Sequence, residues 1–210
     1  GRAGPEDLAL AALVMRARGR LPAEAVARRL TSLRVEAASR VRAVAAPARG
    51  MRVGSGVVEA GVPDPSHAGF FGVDVHRLRH GRFDGGMSPW LRRELFVVGD
   101  AVTVLPYDPV RDRVLLIEQF RMGPFGRGDP LPWQLEAIAG RIDPGEAPED
   151  AARREAVEEA GLVLGALEKV AEYYPTPGAV AEYLYSYVAL CDLPDGIEGV
   201  FGAEEEAEDI

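Results

Sequence analysis

The sequence predicts an α/β protein with a helical N-terminal segment, on three observations. Apolar residues recur at three- and four-residue spacing at Leu30, Leu33, Ala37, Val41 and Val44, the period of a helix with one buried face. From Val57 onward, short apolar runs alternate with turn residues, the pattern of strands. A further helix-forming stretch, residues 147–160, lies among those runs, and strands interleaved with helices indicate an α/β or α+β domain.

Taken in order, residues 5–46 read as helical, with Gly19 and Pro22 dividing them into two helices. Arg28, Arg29, Arg34, Arg40 and Arg42 fall between the apolar positions and read as a solvated face. Pro47–Gly56 reads as a linker. Strands are predicted within Phe70–Leu78, Leu95–Leu105, Val114–Phe120, Leu135–Ile142 and Tyr183–Cys191. Tyr107-Asp108-Pro109 followed by Arg111-Asp112-Arg113 predicts a hairpin turn. Gly123–Pro132, rich in glycine and proline, reads as a surface loop. The 147–160 helix has Pro148, Glu149 and Asp150 in its first turn and Gly161 to stop it. The tail Glu204–Asp209 is acidic, and no internal repeat is present.

The bulk numbers narrow the function. With 210 residues, 47% hydrophobic and 27% charged, the chain suits one core-forming domain and an accessory segment. Residues 1–50 hold ten arginines against four acidic residues, so the net charge of −9 comes from the remainder. An acidic main region argues against nucleic-acid binding, which needs clustered cations, and suits divalent metal. Lys169 is the only lysine. Cys191 is the only cysteine, so no intrachain disulfide can form, and a cytoplasmic protein is expected. The early apolar run Leu8–Met15 is too short to span a bilayer. It follows Glu6 and Asp7, where a signal peptide needs positive charge. No membrane association is expected.

The stretch that carries chemistry is Gly140-Arg-Ile-Asp-Pro-Gly-Glu146 with Arg154-Glu155-Ala156-Val157-Glu158-Glu159-Ala160-Gly161-Leu162. On a helix, Glu155, Glu158 and Glu159 share one face. Like charges at that spacing repel by a few tenths of a kcal/mol per pair, and a hard divalent cation would offset the repulsion. Arg154 can orient a glutamate through a bidentate contact. Gly140 and Gly145 permit a tight loop before the helix, which can bring a backbone carbonyl, that of Ala139, to the metal. A merely solvated acidic helix face is the alternative for the glutamates taken alone.

The spacing G-x5-E-x7-R-E-U-x-E-E-x-G-U, with U apolar, matches the Nudix box at Gly140, Glu146, Arg154, Glu155, Glu158, Glu159, Gly161 and Leu162. Ala156 departs mildly, being smaller than the aliphatic residue usual there. Outside the box, Gly69-Phe-Phe71, Arg93-Glu94, Leu116–Arg121, Pro132-Trp133, Leu135-Glu136, Ala139–Ile142 and Glu208–Ile210 resemble the ADP-ribose pyrophosphatase family. Pro177 falls where that family carries a proline downstream of the box. The likeness runs from about Gly69 to Ile210 and leaves residues 1–66 uncovered.

The resemblance implies a Nudix fold, a mixed β-sheet sandwiched between helices. It implies a helical extension over 1–50, a dimerising strand region over 51–92, and the hydrolase domain over 93–210, with a final strand and helix following Ile210. It implies Mg²⁺, or Mn²⁺ or another divalent cation, held by Glu155, Glu159 and the Ala139 carbonyl, with Glu158 near. The implied general base lies in an acidic loop matching Glu204, Glu205 and Glu206, of which Glu205 is favoured. Arg93, Glu94, Arg121 and Pro177 are the implied substrate contacts, and Glu182 would meet a terminal ribose. The substrate would be a nucleoside diphosphate sugar, ADP-ribose first, and the assembly a homodimer. A GDP-mannose or other nucleotide-sugar pyrophosphatase is the nearest rival. A non-catalytic ADP-ribose sensor is another, although such modules often lose box glutamates that are all present here. Phe70, Trp90 and Trp133 read as core residues before adenine-stacking ones, and the three histidines show no metal-ligand spacing.

Overall fold

In a computed structural model of the chain, the described residues are 3–47 and 56–200. Most of the expected linker and the acidic tail, Glu204–Glu206 included, lie outside them. The protein is α/β, as predicted. The described residues fall into two compact units, those within 1–100, 143–145 and 173–183 and those within 101–142, 146–172 and 184–210.

The first unit opens with three helices, α1 (Pro5–Ala17), α2 (Ala23–Arg28) and α3 (Leu30–Ala45). Gly19, at φ +75°, and Pro22 end the first helix as predicted. The second break, at Arg29, was not predicted: ψ there is 4°, outside the helical range, and the chain restarts at Leu30. Leu13 of α1 packs on Leu33 and Ala37 of α3, with Leu10, Val14 and Val26 around them.

The arginines of this segment are not all solvated. Arg16 pairs with Asp74 at 2.9 Å and Arg42 with Asp100 at 2.6 Å, and Ser39 donates to Asp100 at 2.6 Å. Glu36, also buried, takes Arg40 at 2.8 Å. A buried carboxylate is costly without a partner, and the strand carboxylates Asp74 and Asp100 supply the reason these cations turn inward.

The strands of this unit are β1 (Val58–Ala60), β2 (Asp64–Ala68), β3 (Gly72–His80) and the first part of β4 (Leu91–Asp108). They pair antiparallel, with β1, β2 and β4 all on β3; His76 lies opposite Arg93 and Val75 opposite Glu94.

In the second unit, β4 continues and pairs antiparallel with β5 (Arg113–Val114) and with β8 (Ile138–Arg141), which sets Thr103 opposite Ala139 and Val102 opposite Gly140. β6 (Ile117–Phe120) and β7 (Trp133–Glu136) form a separate two-stranded sheet. The runs Val114–Phe120 and Leu135–Ile142, each expected as one strand, are therefore each split between two sheets. An apolar run reports burial but not which partner a strand takes. The expected loop 123–132 begins as a short helix, α4 (Met122–Arg127), closed by Gly128 at φ +85°. Next come α5 (Pro148–Ala160), β9 (Leu167–Tyr173), which was not predicted, and β10 (Val180–Leu190). Val102, Val104, Ile138, Ile142, Ala151, Ala152, Ala156, Tyr187, Ala189 and Leu193 make the core of this unit.

The predicted hairpin turn joins β4 to β5, and Asp108 organises it. Its carboxylate is buried and accepts from the backbone N–H of Val110 at 2.8 Å, of Arg111 at 3.2 Å and of Leu193 at 3.0 Å, and from the Arg111 guanidinium. Burial alone would raise this carboxyl, but the bonds from Leu193, Arg111 and Val110 outweigh it and hold it well below the usual carboxylate range. A folded pKa below the unfolded one stabilises the fold above about pH 4 and loses that contribution as pH falls toward the folded value. Asp108→Asn is accordingly expected to melt several degrees below wild type at pH 7, with the gap narrowing as the pH drops below the carboxylate range. Thermal melts across that range check this; a gap independent of pH would contradict it.

Candidate active site

Helix α5 forms because its interior holds no glycine and much alanine, with Pro148 at its start and Glu149 and Asp150 at the positive end of its dipole. It stops at Gly161, which takes the left-handed conformation at φ +61°. There the Gly161 N–H donates to the Val157 carbonyl at 3.0 Å and the Leu162 N–H to that of Ala156 at 2.9 Å. Ala151, Ala152, Ala156 and Ala160 make the inner face and are buried. The small Ala156, the departure from the motif, lies on that packed face.

The acidic face holds Glu155 and Glu159, both buried, and the exposed Glu158. Arg154 gathers this side. Its guanidinium contacts Glu146 with two nitrogens, Nε at 3.0 Å and Nη2 at 3.1 Å. Nη1 reaches Glu155 at 2.7 Å and Glu158 at 2.9 Å, and Nη2 also donates to the Arg141 carbonyl at 3.0 Å. One planar cation thus ties the loop after β8 to two glutamates of α5, which a point charge could not do with the same geometry. The Glu146 bond, ahead of the Glu155 and Glu158 contributions, raises the Arg154 pKa further above its already high ordinary value.

Strand β8 meets the same face. The Ala139 N–H donates to Glu159 at 3.1 Å. Gly140 lies so close to Glu155 that a Cβ there would overlap the carboxylate. The motif's first glycine is therefore needed for room; its φ is not among the positive values. Gly145, at φ +77°, supplies the backbone turn instead.

The donor set suits a hard divalent cation. Two buried carboxylates, one helical turn apart, face the same side, and oxygen donors are what Mg²⁺ prefers. Among the described residues no three His, Cys, Asp or Glu side chains converge closely enough to hold an ion by themselves. A cation here would be held by Glu155 and Glu159 together with backbone oxygen and water, a mixture Mg²⁺ accepts.

The structure brings Ala139, Arg154, Glu155, Glu158 and Glu159 together. Arg121, in the same unit, makes a bidentate pair with Glu136 at 2.8 and 2.9 Å. Arg93, Glu94, Pro177 and Glu182 belong to the other unit. There Arg93 donates to the Arg92 carbonyl at 3.0 Å and Glu94 pairs with Arg92 at 2.7 Å, both exposed on β4. Pro177 lies in the turn between β9 and β10. Glu182 is half-buried on β10, and burial raises its pKa. Glu205 lies outside the described residues.

Two features escaped the sequence reading. Glu146 belongs to the motif but had no role assigned; its bidentate hold on Arg154 appears only once the loop is folded against α5. A cleft of about 510 Å³ takes Glu159 as part of its wall, with Leu116, Glu118, Trp133 and Val200; no local pattern announces it, since its lining comes from distant segments. Phe70, Trp90 and Trp133, read as core, are exposed. Trp90 instead carries the Arg77 and Arg79 guanidinium carbons, each 5.2 Å from its ring, a cation–π arrangement.

Gly140→Ala is expected to displace the Glu155 carboxylate, destabilising the fold by about 1–3 kcal/mol, the usual scale of an overpacked site. Thermal melts compared with a Gly123→Ala control, where nothing lies within contact range, check this; equal stability of the two variants would contradict it.

Comparison with known proteins adds independent findings. Residues 98–210 match the NUDIX domain. The chain is 42% identical over 157 residues to the ADP-ribose pyrophosphatase of Escherichia coli strain K12, covering 75% of this chain and 74% of that protein. It is 38% identical over 146 residues to the ADP-ribose pyrophosphatase of Haemophilus influenzae, covering 69% and 67%. It is 35% identical over 127 residues to the GDP-mannose pyrophosphatase of Yersinia enterocolitica, covering 60% and 66%.

Proposed function

The chain belongs to the Nudix family of hydrolases, and from that premise we propose that it hydrolyses the pyrophosphate bond of ADP-ribose to AMP and ribose 5-phosphate with Mg²⁺. The observation that carries the chemistry is the buried Glu155 and Glu159 pair on α5, with Arg154 and Gly140 fixing Glu155 in place. Preference for ADP-ribose is supported by the greater identity and coverage toward the ADP-ribose enzymes than toward the GDP-mannose enzyme.

In this reading Glu155, Glu159 and the Ala139 carbonyl hold the cation. When bound, a divalent cation neutralises pyrophosphate oxygens and lowers the pKa of a water. The protein's own part is positional. Arg154 keeps Glu155 and Glu158 in one arrangement despite their repulsion. Glu205 takes the proton from the attacking water as general base, with Glu204 and Glu206 beside it in sequence. Water oxygen bonds to phosphorus, the bridging P–O bond breaks, and the two monophosphates leave. Arg93, Glu94, Arg121, Pro177 and Glu182 make the substrate contacts, with guanidinium suited to phosphate oxygens. Mn²⁺ or another divalent cation is an alternative to Mg²⁺. The enzyme is proposed to act in the cytoplasm as a homodimer. Residues 51–92 would form the pairing region, 93–210 the hydrolase and 1–50 a helical extension.

The test is hydrolysis of ADP-ribose with Mg²⁺ by wild type and Glu159→Gln, alongside GDP-mannose. The variant is expected to lose at least about a hundredfold in kcat, roughly 3 kcal/mol of transition-state stabilisation, while keeping its fold. Undiminished turnover in Glu159→Gln would remove the metal-ligand assignment. Fast GDP-mannose turnover without ADP-ribose turnover would replace the substrate.

A further inference from the structure

Helix α1 is apolar on two faces. One, with Leu13 and Ala17, is buried. The other, Leu8, Ala11, Ala12 and Met15, is exposed, with Leu8 62% and Met15 59% accessible. These four positions follow the i, i+3, i+4, i+7 spacing of a helix contact face. Nothing in the described residues covers them, and continuous exposed apolar surface marks an interaction site.

We propose that this face pairs with the same face of a second copy, the two α1 helices running antiparallel about a two-fold axis between Ala11 and Ala12. The pattern is symmetric about that point, large-small-small-large. A two-fold contact must be self-complementary, and this one is: Leu8 meets Met15 of the second copy, and Ala11 meets its Ala12. The paired alanines let the helix axes approach at the near end of the usual interaxial range. The charges agree. Asp7, in the first turn, and Arg18, which follows the last, are both exposed and lie along the same edge of this face. Antiparallel pairing places Asp7 of each helix beside Arg18 of the other, and a parallel pair would set like ends together. The helix dipoles favour the same orientation. The contact is small, so association is concentration-dependent, and it is separate from pairing through residues 51–92.

Sedimentation of the full chain over a concentration series tests this. Wild type is expected to associate through this face, and Ala12→Glu to weaken that step at least tenfold with an unchanged melting temperature. Arg18→Glu, at the edge of the face, should weaken it also. Identical sedimentation of wild type and Ala12→Glu overturns the proposal. As a second readout, Ala11→Cys is expected to form a covalent dimer with a short bis-maleimide faster than Val44→Cys, an exposed position off this face. Equal rates would also overturn it.

Discussion

Holding like charges together is the constraint on which this protein's chemistry depends. Glu155, Glu158 and Glu159 share one side of α5, with Glu146 brought in from the preceding loop. Left alone, such a cluster would push the helix end and the loop apart. The Arg154 guanidinium prevents this by spreading one charge over five donors, all of which are used here, on Glu146, Glu155, Glu158 and the Arg141 carbonyl. The rest of the second unit arranges itself to let that clamp form. Alanines on the inner face bring α5 close to its core, and β8 passes the helix with a glycine where any side chain would collide.

The N-terminal helices solve a related problem with different means. Asp74 and Asp100 are buried in strands, and the arginines that neutralise them come from α1 and α3. These pairs tie a segment outside the family resemblance to a sheet inside it. Buried ion pairs are weak evidence for stability, yet breaking one leaves an uncompensated charge. The helical segment is therefore fastened to its sheet by specific partners as well as by the small apolar cluster around Leu13 and Leu33.

The acidic helix was legible because its information is local: alanine and charge alternate at helical spacing, and glycine closes it. The residues proposed to face a metal could be picked out for the same reason, since Arg154, Glu155, Glu158 and Glu159 lie within two turns of one helix. What depends on pairing between distant segments was not. The split of Val114–Phe120 between β5 and β6 reflects a change of partner, from Tyr107 across the local hairpin to Glu136, which the run itself does not announce. β9 was missed because Leu167-Glu-Lys-Val-Ala-Glu-Tyr173 is half charged, as suits a strand with exposed positions but not a burial-based reading. Arginine orientation failed as well: the helical period set Arg42 among residues read as a solvated face, while the carboxylate that draws it inward, Asp100, lies on another element.

Cation choice has a practical side. All but one of the 24 Lys and Arg residues are arginine, and the one lysine, Lys169, is on β9 and pairs with Glu172 at 3.1 Å. Acetylation and other amine chemistry acts on lysine and leaves guanidinium untouched. Among side chains such modification has a single address, on an exposed strand and away from the Arg154 clamp in sequence. The same property makes Lys169 a unique side-chain handle for an amine-reactive dye.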